Sequence, residues 1–532
     1  REYVEQGDKW YIKHNGVIGN EIVPNRLMVK VKNKGYLNNN DLEVMNIHGV
    51  SFATSRFMDG YYVLAIDSSY DSFGISKLLE KSNLFEDLEF VSYGERCAFP
   101  NDPRYDDQWN LPKINIPDAW EFTKGNSSKI LAIIDSGVKY NHIDLDGNIW
   151  VNPSEDYNQN GKPDFYATAL GGDQDGLDND SNGKIDDLIG WDYIEADNNP
   201  TDEYGHGTMV CGIPSAQTDN KELLFYRGIA GVAGGWNSTS GNKVMVLKDG
   251  DFYPYSDNTC LAILYAAQNG ADVINISTEW VYDPLGMSDA INTAVNTYGA
   301  VVIAATGNKG DTSNPGVRYP AKYSNTIAVG STDANDERHY DSSYGPEIDV
   351  VAPSNIPTTN RLGGYSNNAR GTSFAAPTVA GLASLIVGLN PSLTTGQIRS
   401  IISNSADIVP DMQNNNFTNE YGYGRINVYQ ALKSTVENYG ATLTQDIEVK
   451  SGKSLNFTSS TVVNLNSKKI TTSGGSITIA NGAEINPYFC IKNGSTVKAL
   501  YPSFAEAFSE GVCIILCKRS FNQSSSFSLQ RV

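Results

Sequence analysis

Five histidines occur in this 532-residue chain, and one of them, His206, stands between glycines in "EYGHGTMVCGI" at the head of a helix-like run. Asp135 closes an apolar run in "IIDSGV", and Asn308 closes another in "AATGN". Ser373 follows Gly-Thr in "RGTSFAAPTVAGLASLI" and opens a ladder of small residues. A serine hydroxyl is a poor nucleophile at neutral pH until a neighbouring base takes its proton. Imidazole, with an ordinary pKa near 6.5, is the natural base. A carboxylate then fixes the imidazole tautomer, and an amide N–H can hold the developing oxyanion. Together the four residue types point to acyl transfer by an activated serine. Taken singly, each also suits a structural role: Asp135 as a strand-end cap, His206 and Ser373 as helix starts, Asn308 in a turn.

Such groups must be carried to one edge of a scaffold. The runs "KILAIIDSG" (Lys129–Gly137), "DVINIS" (Asp272–Ser277) and "AVVIAATGN" (Ala300–Asn308) are short, continuous and apolar. That pattern predicts strands buried on both faces. Helix-like segments, "TCLAILYAAQNGA" and "SDAINTAVNTYG", alternate with them. The expected fold is α/β, a largely parallel sheet flanked by helices, whose functional groups gather beyond the carboxyl ends of the strands. Residues 1–96 read as a small α+β unit, with strands at Asn25–Asn33, Tyr61–Asp67 and Leu88–Tyr93 and a helix at Ser72–Ser82. The Pro/Asp-rich joint "CAFPNDPRYDDQW" follows, and residues 97–435 form the α/β domain. Residues 436–532 turn polar and strand-like, predicting a small β-rich domain without a regular repeat and, near its end, a helix-like piece "PSFAEAFSEG".

Between the aspartate and histidine blocks, residues 152–192 form an acidic insert with nine Asp from 156 to 192. "DYNQNGKPD" and "DNDSNGKIDD" each place oxygen side chains at alternate positions before a glycine. One tight turn can then aim several hard oxygens at a calcium ion, while the glycine allows the sharp bend. The candidate ligands are Asp156, Asn158, Asn160 and Asp164 in one loop and Asp178, Asp180, Asn182 and Asp187 in the other, with Asp173 and Asp175 between them. A solvated acidic loop is the plainer alternative, but charges this dense repel one another unless neutralised.

The formal net charge of −21 argues against nucleic acid as a partner, since phosphate binding needs basic patches. No apolar run approaches the roughly 20 residues expected of a membrane span. The opening "REYVEQGDKW" lacks the pattern of an export signal, so a secreted form would have lost one earlier. Six scattered cysteines show no metal-ligand spacing, and the pairing of Cys490, Cys513 and Cys517 stays open.

The chain order Asp135, His206, Ser373 is the order used by subtilisin. "IIDSGV", "GHGTMVCGI" and "GTSFAAPTVAG" resemble the three signature blocks of the subtilases, the subtilisin-like serine proteases, and "AATGNKG" resembles their oxyanion block. "GIAGVA", "GADVINIS" and "YPAKYSNTIAVGST" support the match over roughly residues 101–435. The resemblance implies Ser373 as nucleophile, His206 as general base, Asp135 as orienting acid and Asn308 as oxyanion donor. It also implies a secreted or cell-surface serine endopeptidase acting on polypeptide substrates, stabilised by calcium, and made with residues 1–96 as an inhibitory chaperone cut off between about Ser92 and Asn101. Ser277, Thr278 and Glu279 fall where the family lines its substrate cleft. Thr278, Glu279 and Trp280 replace a Leu-Gly-Gly-like run there, and Cys211 replaces an alanine. Arg318 in "GVRYPAKY" falls at the bottom of the family's S1 pocket, where a cation would favour an acidic P1 side chain, unless it swings to solvent or pairs with Glu279. Two other readings stand beside the enzyme: a catalytically silent peptide-binding scaffold, and a calcium-dependent extracellular binding protein dominated by its β-rich tail.

Overall fold

The computed structural model describes all residues except 1, 7–8, 15–16, 33–49, 59, 83, 93–99, 221–227, 238, 487–488, 494–495 and 502–532. The joint cut site expected between Ser92 and Asn101, the helix-like piece after Tyr501, and Cys97, Cys513 and Cys517 therefore lie wholly or largely outside the described residues. The chain divides into two compact units. One holds Arg1–Cys97 with the short stretches Lys450–Lys453 and Ser473–Gly475, and the other holds the remainder.

In the first unit, strands β1 (Glu2–Gln6), β2 (Lys9–His14), β3 (Val17–Val31), β4 (Val50–Met58), β5 (Tyr61–Ile66) and β6 (Phe85–Ser92) form an antiparallel sheet in the order β1-β2-β3-β5-β4, with β6 also pairing β3. Helix α1 (Ser72–Lys81) is N-capped by Asp71, whose carboxylate accepts the Phe73 N–H. Its apolar residues Ile75 and Leu79 recur at helical spacing and bury against Leu27, Leu64 and Phe90 of the sheet.

The second unit is built on seven strands: β7 (Ile130–Asp135), β8 (Gly190–Asp192), β9 (Lys243–Lys248), β10 (Val273–Ile276), β11 (Val301–Ala305), β12 (Thr326–Thr332) and β13 (Val350–Pro353). They lie in the order β13-β12-β11-β10-β7-β9-β8 and all run parallel. The unbroken apolar runs have a direct cause. Alternate side chains of one strand enter two different cores: Leu131 and Ile133 join one, Ala132 and Ile134 the other. Helices α2 (His206–Ser215) and α3 (Ser256–Gln268) pack on opposite faces, as do α4 (Met287–Asn296), which shares a core with α3, and α5 (Thr372–Leu389), which shares one with α2.

All 18 residues of α5 are buried. Each fully buried Leu, Ile or Val contributes roughly 1.5–3 kcal/mol, so this helix is a principal anchor of the unit. By length and mean hydropathy (1.6) α5 is also apolar enough to cross a membrane. An apolar run near span length therefore does exist, contrary to the sequence expectation, and it is a core helix.

The β-rich region has a regularity that its sequence hides. Strands β14 (Ala441–Thr442), β15 (Val462–Asn464) and β16 (Glu484–Asn486) stack in parallel, pairing Ala441 with Val463 and Val463 with Ile485. Ser454 likewise pairs with Ser476. Partners in these parallel pairs stand 22 positions apart, so the chain winds in rungs. Their inward residues, Leu443, Leu455, Phe457, Leu465 and Ile477, belong to the same hydrophobic core as α5. Gln445 further ties the first rung to the catalytic-side backbone, donating to the carbonyls of Trp120 (2.6 Å) and Glu121 (2.9 Å).

Candidate active site

β7 ends on Asp135, which is 2% exposed. A lone carboxylate there would be costly, but its oxygens receive Nδ1 of His206 at 2.7 and 3.0 Å and the Ser136 N–H at 2.8 Å. His206 opens α2, and Asp202 fixes that opening. Its carboxylate accepts the N–H groups of Gly205 (2.6 Å) and Thr208 (2.8 Å) and the Ser136 hydroxyl (2.9 Å). The Ser136 Oγ in turn accepts the Gly207 N–H at 2.9 Å. The histidine helix is thus bolted to the residue next to Asp135. Asp202 was not singled out in sequence, because only the tertiary fold brings it to Ser136.

Burial by itself would lower the His206 pKa. The charge of Asp135 and its hydrogen bond, with the charge of Asp202, outweigh that and raise it above the ordinary value. Bonded to Asp135 through Nδ1, the ring keeps Nε2 as its second nitrogen for proton transfer.

Ser373 is the second residue of α5, so it is not the cap; Gly371 is. The Ser373 hydroxyl donates to the Ser277 carbonyl at 3.0 Å, and the Ser277 hydroxyl donates to the Ser373 carbonyl at 2.8 Å. The missing side-chain cap is supplied from another strand end. Asn308 Oδ1 accepts the Thr372 N–H at 2.9 Å and the Thr372 hydroxyl at 3.1 Å. With its oxygen engaged, Asn308 keeps Nδ2 as a donor beside the cleft. A side chain at position 371 would meet Asn308 Oδ1 at 3.0 Å on a backbone with φ +118°, so glycine is required there.

Asp135, His206, Ser373 and Asn308 line one cavity of about 310 Å³, together with Ser277, Thr278 and Glu279. Among the described residues, the main-chain N–H and C=O groups of Thr278 and Glu279 have no hydrogen-bond partner, leaving an extended edge on the cavity wall. Trp280 resumes pairing through an antiparallel bridge to Tyr319. Tyr204, Phe252, Tyr253 and Pro254 also line the cavity. Asp249, fully buried at the cavity's inner side, is a second residue the sequence reading missed. Burial pushes its carboxyl up to about 8, the Thr259 hydroxyl opposing and the Asp135 charge adding.

Arg318 takes neither alternative course expected of it. It is 6% exposed, so it does not swing to solvent, and among the described residues no ion pair joins it to Glu279. Its guanidinium donates to the Asn314 carbonyl at 2.6 Å, and its buried Nε has no partner. Glu279 instead lines the cavity, with Oε2 accepting the Asn308 main-chain N–H at 3.0 Å. A Cβ at Gly307 would lie 2.1 Å from that oxygen and 2.5 Å from Arg318 Cγ, so Gly307 is what admits both side chains.

The acidic insert folds into two copies of one turn. Asp156 accepts the N–H groups of Asn160 (3.1 Å) and Gly161 (2.8 Å); Asp178 accepts those of Asn182 (3.0 Å) and Gly183 (2.8 Å). The residue before the Asn (Gln159 or Ser181) and the Gly after it take positive φ in both loops. Asn158, Asn160, Asp164 and Asp173 hydrogen-bond together in the first loop. Asp180, Asn182 and Asp187 come together in the second. Asp175 stays in its own turn, bonding Leu177 and Asn179.

A parallel sheet presenting serine, histidine and two side-chain amide or acid groups at one edge defines a serine hydrolase cleft. The subtilase family matches residues 126–424. Thermitase of Thermoactinomyces vulgaris is 34% identical over 63% of this chain and 99% of its own length. The thermophilic serine proteinase of Bacillus sp. (strain AK1) is 33% identical over 67% of this chain and 75% of its own. The halolysin-like extracellular serine protease Nep of Natrialba magadii is 27% identical over 66% and 57%. This chain belongs to the subtilase family and is a subtilisin-like serine protease.

Proposed function

We propose that the chain is a secreted or cell-surface serine endopeptidase that cleaves polypeptides through an acyl-enzyme on Ser373. The observation that carries this reading is the 2.7 Å bond between His206 Nδ1 and Asp135 in a cavity shared with Ser373 and Asn308. A rotation about the Ser373 Cα–Cβ bond exchanges its hydrogen bond to the Ser277 carbonyl for one to His206 Nε2; such contacts often tighten only when substrate binds. Nε2 takes the hydroxyl proton as Oγ attacks the scissile carbonyl, and Asp135 stabilises the imidazolium. Asn308 Nδ2 and the N-terminal end of α5 stabilise the oxyanion. The imidazolium then protonates the departing amine, and water repeats the sequence to release the acid. The free main-chain edge at Thr278 and Glu279 pairs with the substrate as an added strand.

Residues 1–96 act as an intramolecular chaperone and inhibitor, residues 97–435 as the catalytic domain, and the rungs beyond 436 as an accessory region. The extracellular relative named above and the acidic surface support export. Calcium bound in the insert supplies positive charge that holds its carboxylates together. The two matching turns with alternate oxygen side chains support that reading.

Casein hydrolysis by the purified full-length chain tests the proposal. Ser373→Ala should abolish hydrolysis and leave the chain full length, while the wild type separates into two fragments. Asn308→Ala should lower kcat by roughly 100- to 1000-fold. Processing of the Ser373→Ala chain in a protease-free preparation would refute self-cleavage.

A further inference from the structure

One guanidinium close to the nucleophile has no part in the mechanism above. Arg370 stands three positions before Ser373, between the strand Tyr365–Ala369 and the start of α5. Three residues span at most roughly 11 Å, so its long side chain is within reach of a substrate bound at Ser373. It does not line the cavity that holds Ser373, Asn308 and Glu279. Its position is fixed all the same. Nη2 donates to the Asp341 carboxylate at 3.0 Å and to the Tyr340 hydroxyl at 2.6 Å, and the guanidinium lies over the Tyr340 ring at 5.0 Å.

The segment that holds Arg370 is stitched to the Asn308 loop. The Gly310 N–H donates to the Asp341 carbonyl at 2.8 Å, the Ser343 N–H to the Gly307 carbonyl at 2.8 Å, and the Lys309 N–H to the Ser343 hydroxyl at 3.1 Å. Arg370 is therefore seated between the nucleophile's helix and the loop of the proposed oxyanion donor. Its hydrogen-bonding capacity is only part used. The Nε and Nη1 groups make no hydrogen bond among the described residues, and the side chain is 44% exposed. Asp341 is itself divided, because its other oxygen meets His339 Nδ1 at 2.7 Å.

We infer that Arg370, held by Asp341 and Tyr340, selects an acidic side chain one or two residues past the scissile bond, on the leaving-group side. This rests on the reading of Ser373 as nucleophile and adds a specificity residue to it. The free edge at Thr278 and Glu279 takes the substrate residues before the bond, inside the cavity. The chain beyond the bond must leave that cavity past the start of α5, where Arg370 stands. A guanidinium carries five N–H donors, and Asp341 and Tyr340 engage only those on Nη2. A substrate carboxylate can form charge-assisted hydrogen bonds with the rest, whereas a lysine in its place would meet a like charge. The stacked ring and the Asp341 pair already restrict the arginine, so less rotamer freedom is lost when a carboxylate binds.

The test uses the purified wild-type chain and quenched fluorescent peptides with a single scissile bond. They are identical except at the first or second residue past it, which is Glu, Gln or Lys. For wild type, kcat/KM should rank Glu above Gln above Lys, with about a fivefold gap between Glu and Lys at low salt. High salt should narrow that gap, because the pair is exposed. Arg370→Gln should flatten the ranking and Arg370→Glu should reverse it. Arg370→Lys should keep the order with a smaller gap, since an ammonium lacks the planar fork. A second panel, varied only at the residue before the bond, should give the same ranking in wild type and Arg370→Gln, which separates a leaving-side contact from a general loss of activity. A flat wild-type ranking, a preference for Lys, or a Glu preference that survives in Arg370→Glu would overturn the assignment while leaving the nucleophile reading intact. No cleavage of any peptide, together with no labelling of Ser373 by a fluorophosphonate, would instead overturn the reading on which it rests.

Discussion

The Glu279 carboxylate holds the main-chain N–H of Asn308 at 3.0 Å, and both residues line the cavity that holds Ser373. The residue proposed to stabilise the oxyanion is therefore seated on a residue proposed to contact the substrate. Arg318 donates its guanidinium to the Asn314 carbonyl at 2.6 Å and is not among the residues that line that cavity. Glu279 is itself paired with Lys309 at 3.7 Å, and we propose that its carboxylate, rather than Arg318, sets the response of the cleft to an acidic P1 side chain.

Glu279→Ala should widen the slot and remove its charge. Cleavage after Phe or Leu should rise by about 10-fold or more in kcat/KM, the usual worth of added apolar contacts in a pocket. Cleavage after Glu or Asp should be poor in the wild type. A panel of peptides varied only at P1 reads both effects. Efficient wild-type cleavage after Glu would show that Arg318 governs the slot after all.

The pH profile carries the mark of the charges around His206. The imidazole must be neutral to act as base, and its pKa is raised in the folded protein. The acid limb of kcat/KM should therefore have its midpoint above 6.5, the ordinary histidine value. Asp135→Asn should cost roughly 10⁴-fold in kcat and move that midpoint down. A wild-type midpoint below the ordinary value would contradict the arrangement of Asp135 and Asp202 around the ring.

Asp249 gives a separate signature in stability. Its folded carboxyl holds a proton up to about 8, whereas the unfolded chain releases it near 4. Between those values the unfolded chain binds fewer protons, so stability contributed by the protonated acid is present at low pH and lost as pH rises toward 8. Asp249→Asn, neutral at every pH, should flatten that decline. Urea midpoints from pH 5 to 9, taken on the Ser373→Ala background in saturating calcium, measure it. Parallel profiles for the two proteins would rule out Asp249 as the titrating group.

Much of the site was legible because local chemistry forced particular residues into short motifs. Gly371 is needed where Asn308 approaches the helix start, and apolar runs entering two cores had to be central strands. Asp202 and Asp249 were not legible, since what ties them to the site, Ser136 and Asp135, lies far along the chain. Ser373 read as a cap only in isolation, since the aspartate, histidine and asparagine blocks already marked it as the nucleophile, and the structure gives the capping to Asn308. The 22-residue winding escaped notice for a related reason. Each rung buries only a few apolar residues, such as Leu443 and Leu455, and its turns differ in sequence, so the period lives in the stacking.

Reaction with a serine-directed fluorophosphonate, followed by mass spectrometry of the digested chain, tests the central claim most directly. The account predicts one modified residue, Ser373, with labelling abolished in Ser373→Ala and greatly slowed in His206→Ala. Labelling at another serine, or peptide hydrolysis by Ser373→Ala at the wild-type rate, would contradict it.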